Sequence, residues 1–251
     1  MRYKEIIPLG DHAILIRLGD APDRATHEKV RMLTEYLSAH PFEGMIEAIP
    51  AYTSVTAVYD PYRVWLAGRA ALEAGEAGGE AGGAKIAKTP HELAAERLQA
   101  VLAAVDEREL PEPRRIEIPV CYGGEYGPDL EAVAELNGLS PDEVVAIHAG
   151  VEYLVHMIGF APGFAYLGGM DPRIAAPRKA TPRLSVPPGS VGIAGVQTGI
   201  YSVGTPGGWQ IIGRTPLLLF SPEKDPPSLL EAGDRVRFRP ISREAFKRWG
   251  E

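Results

Sequence analysis

The fold of this chain is decided by a stretch rich in glycine and proline. It runs from Gly159 to Phe220 and reads GFAPGFAYLGGMDPRIAAPRKATPRLSVPPGSVGIAGVQTGIYSVGTPGGWQIIGRTPLLLF. This stretch holds 12 of the 28 glycines and 8 of the 23 prolines of the chain. Residues of these two types interrupt helices, whereas they suit the turns between short strands. We therefore expect a closed barrel or a sandwich of short strands here, and not a parallel sheet.

The same stretch is basic, although the protein is acidic. It carries a net charge of +4, while the whole 251-residue chain carries −7. Its charged residues are one acid, Asp171, and five bases: Arg173, Arg178, Lys179, Arg183 and Arg214. The overall negative charge argues against general nucleic-acid binding, which needs a broad positive potential. A rigid, locally basic surface instead predicts a site for an anion or a peptide.

The sequence on either side of this stretch predicts regular elements. Alternating and β-branched residues predict strands at Ile116–Val120, Glu152–Ile158 and Asp234–Pro240. A helix is expected over Pro128–Asn137, with Gly138 as its terminating glycine. A further helix follows Ser140, because Ser140, Pro141 and Glu143 form a capping-box pattern, and it runs to about Ala149.

The first part of the chain has the pattern of a small α+β domain. Predicted strands lie at Tyr3–Pro8, His12–Leu18, Met45–Ile49 and Ser54–Tyr59, and predicted helices lie at Asp23–Ala39 and Pro90–Asp106. The order β-β-α-β-β-α places helices on one face of a sheet. Between the last strand and the last helix, Ala70–Ala84 is of low complexity, and we expect it to be a flexible insertion.

The domain boundary is expected at the proline-containing segment Glu109–Arg114. It divides the chain into an N-terminal α+β domain, residues 1–110, and a C-terminal domain, residues 111–251. The fold class is therefore α+β.

Several classes of protein are excluded by composition. The single cysteine, Cys121, rules out a disulfide framework and a cysteine-rich metal site. The charged N-terminus lacks the apolar core of a signal peptide, and no run of about 18 apolar residues predicts a membrane span. We expect a cytoplasmic protein that binds neither nucleic acid nor membrane. The sequence also lacks a phosphate-binding P-loop and a G-x-S-x-G nucleophile motif.

Two histidines and a basic cluster are the candidates for chemistry. His156, within a predicted strand, is best interpreted as a hydrogen-bonded structural residue. His148 either interacts as a cation with a helix C-terminus or faces a cleft as an acid–base group. Arg178 and Arg183 follow prolines that stiffen the chain, and they are either donors for a carboxylate or phosphate or part of a solvated basic face.

Polar and aromatic residues of the same stretch leave similar alternatives. Gln197, Thr198 and Tyr201 either bind a polar ligand or cap a turn. Trp209 is interpreted as a core or interface anchor. The aromatic residues Phe160, Phe164 and Tyr166 either pack in the core or form a surface for a partner.

The motifs, taken in order, resemble the KipI/PxpB family, also called allophanate hydrolase subunit 1. The resemblance covers nearly the full chain except the 70–84 insertion. It rests on Pro8–Ala13, Gly159–Phe164, Tyr166–Gly169, Pro177-Arg178, Pro182-Arg183, Val186–Val191, Gln197–Tyr201, Thr205–Trp209, Gly213–Pro216 and Ala232–Asp234.

This resemblance implies a small N-terminal α/β sandwich domain followed by a cyclophilin-like β-barrel domain. It implies a subunit of a prokaryotic ATP-dependent 5-oxoprolinase, a hydrolase that converts the cyclic amide 5-oxo-L-proline to L-glutamate. The main partner would be a KipA/PxpC-type subunit, with a PxpA-type subunit as the third component. ATP would be a cosubstrate of the complex, with no tightly bound cofactor, and the isolated chain would be inactive. The alternative is a KipI-like inhibitor that acts by binding a sensor histidine kinase.

The resemblance also suggests roles for single residues, with no metal site among them. The catalytic candidates are His148, Arg178 and Arg183. The substrate-binding candidates are Gln197, Thr198, Tyr201 and Trp209, and the candidate partner surface consists of Phe160, Phe164 and Tyr166.

Overall fold

The computed structural model describes residues 1–21, 23–76, 88–105 and 112–249, without the side chains of residues 71–76. The chain divides into two compact units, Met1–Pro111 and Glu112–Glu251. Each unit has a hydrophobic core of its own. Because the predicted linker Glu109–Arg114 lies partly outside the described residues, the domain boundary at residue 110 stays a prediction.

The first unit is a four-stranded antiparallel sheet accompanied by helices. Its strands are β1 (Glu5–Pro8), β2 (Ala13–Arg17), β3 (Met45–Pro50) and β4 (Ser54–Tyr59), in the order β1-β2-β4-β3. Its helices are α1 (Arg24–Ala39), α2 (Pro61–Glu76) and α3 (Pro90–Ala104). Alternate residues of the two central strands, such as Ile14, Ile16 and Val55, are fully buried and share a core with Leu33 of α1 and Leu98 of α3.

The sequence analysis did not predict helix α2. The prediction of a flexible loop over Ala70–Ala84 is wrong for residues 70–76, because α2 continues to Glu76. Alanine, leucine and glutamate are strong helix formers, and in residues 70–76 they outweigh the single glycine, Gly75. The rest of the predicted loop, residues 77–84, lies outside the described residues.

The second unit is built on a closed seven-stranded barrel. Its strands follow the order β10-β7-β6-β13-β5-β12-β9, and β9 pairs with β10 to close the ring. These strands are β5 (Arg115–Tyr122), β6 (Glu152–Ile158), β7 (Ala165–Gly168), β9 (Ser190–Ala194), β10 (Gln197–Ile200), β12 (Gln210–Arg214) and β13 (Arg235–Pro240). Two more strands, β8 (Arg183–Val186) and β11 (Thr205–Gly207), form a separate antiparallel pair.

The barrel core is apolar. Ile118, Val120, Val155, Ile193 and Val236 come from four different barrel strands, and all five are fully buried in one cluster. Small barrels are filled by their own side chains in this way. A site for a ligand is therefore expected at the periphery of this barrel and not along its axis.

Helices complete the second unit. They are α4 (Leu130–Asn137), α5 (Pro141–Ala149), α6 (Arg243–Lys247) and a 3₁₀ turn at Pro172–Ile174. Gly138 ends α4 in the left-handed conformation, with φ of 64°. The capping box of α5 is confirmed: the Glu143 amide donates to the Ser140 hydroxyl at 3.3 Å, and the Ser140 amide donates to the Glu143 carboxylate at 2.8 Å.

The predicted fold class is confirmed as α+β with a barrel. The alternative of a sandwich for the glycine-rich stretch is wrong, because β9 and β10 pair and close the ring. Within the described ranges, no helix is both long and apolar enough to cross a membrane.

Replacement of Ser140 by alanine tests the capping box. Ser140→Ala removes a bond to an otherwise unpaired helix amide, and we expect the free energy of unfolding to fall by about 1 kcal/mol. Urea denaturation measures this change. Ser185→Ala, at an exposed position of β8, is the control and should leave the value within about 0.5 kcal/mol. Equal values for the two variants would contradict the assignment.

Candidate functional site

A cleft of about 430 Å³ lies on the barrel unit, and the glycine-rich stretch supplies its whole lining. The lining residues are Phe160, Phe164, Tyr166, Arg178, Pro182, Tyr201, Pro206, Gly207, Gly208 and Trp209. The structure therefore brings together five aromatic side chains and one arginine that are up to 49 positions apart in sequence. All six were candidates on sequence grounds, although for different roles.

Phe164 is the centre of the aromatic part of the cleft. Its ring contacts Tyr166, Tyr201 and Trp209 edge to face, with centroid distances of 4.9, 5.4 and 5.7 Å. Phe164, Tyr201 and Trp209 are nearly buried and belong to one apolar cluster. Edge-to-face packing of this kind restricts ring orientation. The cluster is thus a firm wall against which a flat or apolar group can pack.

Phe160 is held on the exposed side of this wall. Its ring is edge-on to Phe164 at 5.4 Å, yet 67% of the residue is accessible to solvent. Its φ of 66° places it in the left-handed region, which is uncommon for any residue other than glycine. The Ala161 amide donates to the Gly159 carbonyl at 2.8 Å, which closes a tight three-residue turn with Phe160 at its centre. The exposed ring is a contact surface for a ligand or a partner.

Tyr201 supplies a buried hydroxyl to the cleft. The backbone of Trp209 lies close enough to this hydroxyl to lower its pKa, and a phenolic hydroxyl can donate its own proton to a further acceptor. Burial raises the pKa of Tyr201 and outweighs the opposite effects of that backbone and of the charges on Arg178 and Arg183. A side chain at Gly207 would overlap the hydroxyl, which explains a glycine at this position. Tyr201 therefore presents a neutral hydrogen-bond donor.

Arg178 is the cationic group of the cleft. Among the described residues, no hydrogen bond or ion pair engages its guanidinium. The backbone on both sides is fixed, since Gln210 Nε2 donates to the Pro177 carbonyl at 2.9 Å and the Lys179 amide donates to the Gly208 carbonyl at 2.7 Å. An unpaired guanidinium on a fixed backbone is suited to bind a carboxylate or phosphate.

Arg183 does not line the cleft, although it was predicted as a catalytic residue beside Arg178. Its Nη2 donates to Asp129 Oδ1 at 2.8 Å, and Lys179 Nζ donates to the same oxygen at 3.1 Å. Arg183 is thus committed to an internal ion pair. Its position speaks against direct contact with a ligand in the cleft.

Asp129 was missed by the sequence analysis. It is only 5% exposed, and its Oδ2 accepts a hydrogen bond from the Ile211 amide at 2.7 Å. Burial on its own would raise the pKa of Asp129, but the hydrogen bonds from Arg183, the Ile211 amide and Lys179 together lower it. The carboxylate is therefore ionised at neutral pH. Its position before a helix resembles an ordinary N-cap, so no sequence signal pointed to these partners.

His148 lies in the last turn of α5 and is fully buried. The Thr198 hydroxyl donates to the Gly192 carbonyl at 3.0 Å, so it accepts from His148 Nε2 at 2.9 Å. The other ring nitrogen, Nδ1, then accepts from the Tyr122 hydroxyl at 2.8 Å. Burial lowers the pKa of His148 to about 3. A neutral imidazole with both nitrogens occupied cannot exchange protons with a ligand in the cleft, which argues against the predicted catalytic role.

Two further candidates also lie away from the cleft. Thr198 is fully buried as a partner of His148, so its predicted contact with substrate is not supported. Gln197 pairs with Ala194 across β9 and β10 and is absent from the cleft lining.

His156 is 7% exposed, and burial and the charge of Arg235 lower its pKa. In the part of the chain that the structure describes, no cluster of three or more His, Cys, Asp or Glu residues is placed to hold a metal ion.

Comparison with known proteins places the chain in a family. Residues 4–230 match the model of the carboxyltransferase domain, subdomain C and D. The B-type subunit of 5-oxoprolinase from Bacillus subtilis (strain 168) is 48% identical over 251 residues, which cover 100% of this chain and 98% of the relative. The protein of the same name from Escherichia coli O157:H7 is 40% identical, over 92% of this chain and 94% of the relative. The chain therefore belongs to the family of the carboxyltransferase domain, subdomain C and D, and the predicted KipI/PxpB relationship is confirmed.

A crystal structure of the protein TTHA0988 is similar in fold. It superposes with a TM-score of 0.74 at 33% sequence identity. The match covers 92% of this chain but only 40% of the TTHA0988 chain. This chain therefore corresponds to one part of a longer protein in that case.

The buried imidazole predicts a specific pH dependence of stability. In the unfolded chain His148 takes up a proton near its ordinary pKa of 6.5, whereas the folded ring stays neutral down to about 3. Its contribution is complete above pH 6.5 and is lost as the pH falls toward 3, by about 1.4 kcal/mol per pH unit. Between pH 7 and pH 5 the free energy of unfolding should therefore fall by about 2 kcal/mol more in the wild type than in His148→Gln.

Chemical denaturation at the two pH values measures this difference. The other histidines are present in both proteins, so their contributions cancel. Equal pH slopes for wild type and variant would contradict the buried neutral state. Tyr122→Phe provides a second test if His148→Gln does not fold: it removes the donor to Nδ1 but leaves the imidazole in place, so the wild-type pH slope should persist.

Proposed function

We propose that this family member is a subunit of an ATP-dependent 5-oxoprolinase, which acts with a KipA/PxpC-type and a PxpA-type subunit to convert 5-oxo-L-proline to L-glutamate. The full-length similarity to two proteins named as B-type subunits of 5-oxoprolinase supports this role. In this proposal the cleft on the barrel unit binds the substrate or an anionic intermediate derived from it.

The observation that carries the proposal is the unpaired Arg178 beside an aromatic wall and a buried hydroxyl. 5-Oxoproline is a five-membered lactam that bears one carboxylate. Its carboxylate can form an ion pair with the guanidinium of Arg178, and its ring can pack against the aromatic wall around Phe164. The lactam oxygen is an acceptor for the free proton of Tyr201. The cleft, at about 430 Å³, is within the range of small-molecule sites.

This arrangement gives the chain a defined part in lactam opening. Negative charge develops on the lactam oxygen when a nucleophile attacks the carbonyl carbon, because the electrons of the C=O double bond move to that oxygen. A hydrogen bond from Tyr201 to that oxygen strengthens as the charge develops and so stabilises the transition state. Arg178 holds the carboxylate and thereby fixes the ring, which lowers the entropic cost of the reaction. ATP hydrolysis supplies the free energy that drives lactam opening. The remaining catalytic groups are assigned to the other subunits.

Reconstitution tests the proposal directly. The purified chain is mixed with the KipA/PxpC-type and PxpA-type subunits of its source organism, and L-glutamate formation from 5-oxo-L-proline is followed with and without ATP. We expect activity only when all three proteins and ATP are present. Full activity in the absence of this chain would refute the proposal.

Replacement of Arg178 tests the assignment of the carboxylate contact. A hydrogen-bonded charge pair contributes about 2 kcal/mol, so Arg178→Ala should raise KM for 5-oxo-L-proline roughly 30-fold in the complex. Arg173→Ala is the matched control, because Arg173 is an exposed arginine that pairs with Asp171 and is absent from the cleft lining. It should leave KM unchanged. Equal effects of the two variants would show that the general positive charge, and not the position of Arg178, matters.

Replacement of Tyr201 separates binding from transition-state stabilisation. Tyr201→Phe keeps the aromatic packing but removes the donor, and we expect kcat to fall by roughly 10-fold to 100-fold with a smaller change in KM. Steady-state kinetics of the reconstituted complex measure both constants. An unchanged kcat would exclude the proposed contact with the lactam oxygen.

A further inference from the structure

Asp129 occupies a helix N-cap position without capping the helix. It directly precedes α4, and its side chain makes no hydrogen bond to the first turn. Aspartate is among the preferred N-cap residues because its carboxylate accepts from free amides of that turn. Here the carboxylate bonds instead to two segments that line the cleft. The helix therefore lacks the stabilisation of a side-chain N-cap, and the carboxylate contacts residues farther along the chain.

The bonds of Asp129 reach both segments at once. Its backbone amide donates to the Ile211 carbonyl at 2.9 Å, and its Oδ2 accepts from the Ile211 amide at 2.7 Å. Its Oδ1 accepts from Lys179 Nζ at 3.1 Å and from Arg183 Nη2 at 2.8 Å. One nearly buried carboxylate thus joins residues 177–183, which include Arg178, to residues 207–211, which include Trp209.

The charge of Asp129 also decides which cation is available to a ligand. Arg178, Lys179 and Arg183 lie within six positions of sequence, and together they would repel one another. The carboxylate neutralises part of this charge and engages Lys179 and Arg183 directly. Arg178 is left with its guanidinium unengaged by the described residues.

We propose that Asp129 is a positioning residue for the cleft: it fixes the segment that carries Arg178 against the segment that carries Trp209. This inference rests on the proposed function, because the cleft is the proposed substrate site. Asp129 itself does not line the cleft and touches no substrate. Loss of its charge leaves two cations without their partner in a partly buried place, which is a strongly destabilising change for the local arrangement.

Hydrogen exchange of the full chain alone tests the positioning role without any substrate. Asp129→Asn keeps an oxygen that can accept from the Ile211 amide but removes the negative charge. We expect the amides of Lys179 and Ile211 to exchange at least about 10-fold faster, while those of β5 and β13 keep their rates. Asp171→Asn is the matched control, because it breaks the Asp171–Arg173 ion pair of the same unit away from the cleft. Unchanged exchange at Lys179 and Ile211, or a uniform increase throughout the barrel, would overturn the proposal.

A double-mutant cycle in the reconstituted complex tests the functional consequence. Asp129→Asn should raise KM for 5-oxo-L-proline about 10-fold and leave kcat within about twofold. If Asp129 acts through Arg178, the double variant Asp129→Asn/Arg178→Ala has the same KM as Arg178→Ala. Multiplication of the two KM effects, or a loss confined to kcat, would overturn the inference. A wild-type complex without 5-oxoprolinase activity would refute the proposed function only, since the exchange measurement still decides the role of Asp129.

Discussion

The second unit depends on the parallel pairing of β5 with β13. The two strands are about 120 positions apart, and they align over six residue pairs from Arg115 with Arg235 to Val120 with Pro240. A bidentate ion pair lies at the start of this alignment, where Arg114 donates to Asp234 at 2.8 and 2.6 Å. Asp234 is 4% exposed, whereas 47% of the Arg114 side chain is accessible to solvent. The two parallel hydrogen bonds give the pair a fixed geometry. Without this long-range pairing the barrel does not close, and the glycine-rich stretch has no support.

Several features of the fold were accessible from the sequence because they depend on local physics. The capping box at Ser140, the terminating Gly138 and the alternation along β2 are decided by residues a few positions apart. The barrel was predicted as one of two options, since the density of turns shows that strands are short but does not show whether the sheet closes. Helix α2 was missed because its C-terminal part has the alanine- and glycine-rich composition of a linker, and composition alone cannot separate a weak helix from a loop.

The candidate site was only partly accessible, for a physical reason. Composition and charge selected the glycine-rich stretch, the resemblance to a family selected residues within it, and Arg178, Tyr201 and Trp209 do meet in the cleft. Burial, however, is a property of the folded chain. The sequence does not show that His148 is enclosed by Tyr122, Thr198 and Phe238 or that Arg183 is engaged by Asp129. A motif identifies which side chains matter to a family, whereas the fold decides which of them reach solvent.

The hydrogen bonds of His148 have a consequence for strand alignment. The hydroxyl of Thr198 on β10 connects the imidazole to the Gly192 carbonyl on β9. A shift of β10 by one residue toward Gly199 would put a residue without a side chain at this place, and the buried ring nitrogen would lose its partner at a cost of about 1–3 kcal/mol. Glycine-rich strands are prone to such slippage, because few side chains distinguish one alignment from the next. The hydrogen bonds of the enclosed imidazole therefore favour one alignment of β9 and β10, the two strands that close the barrel.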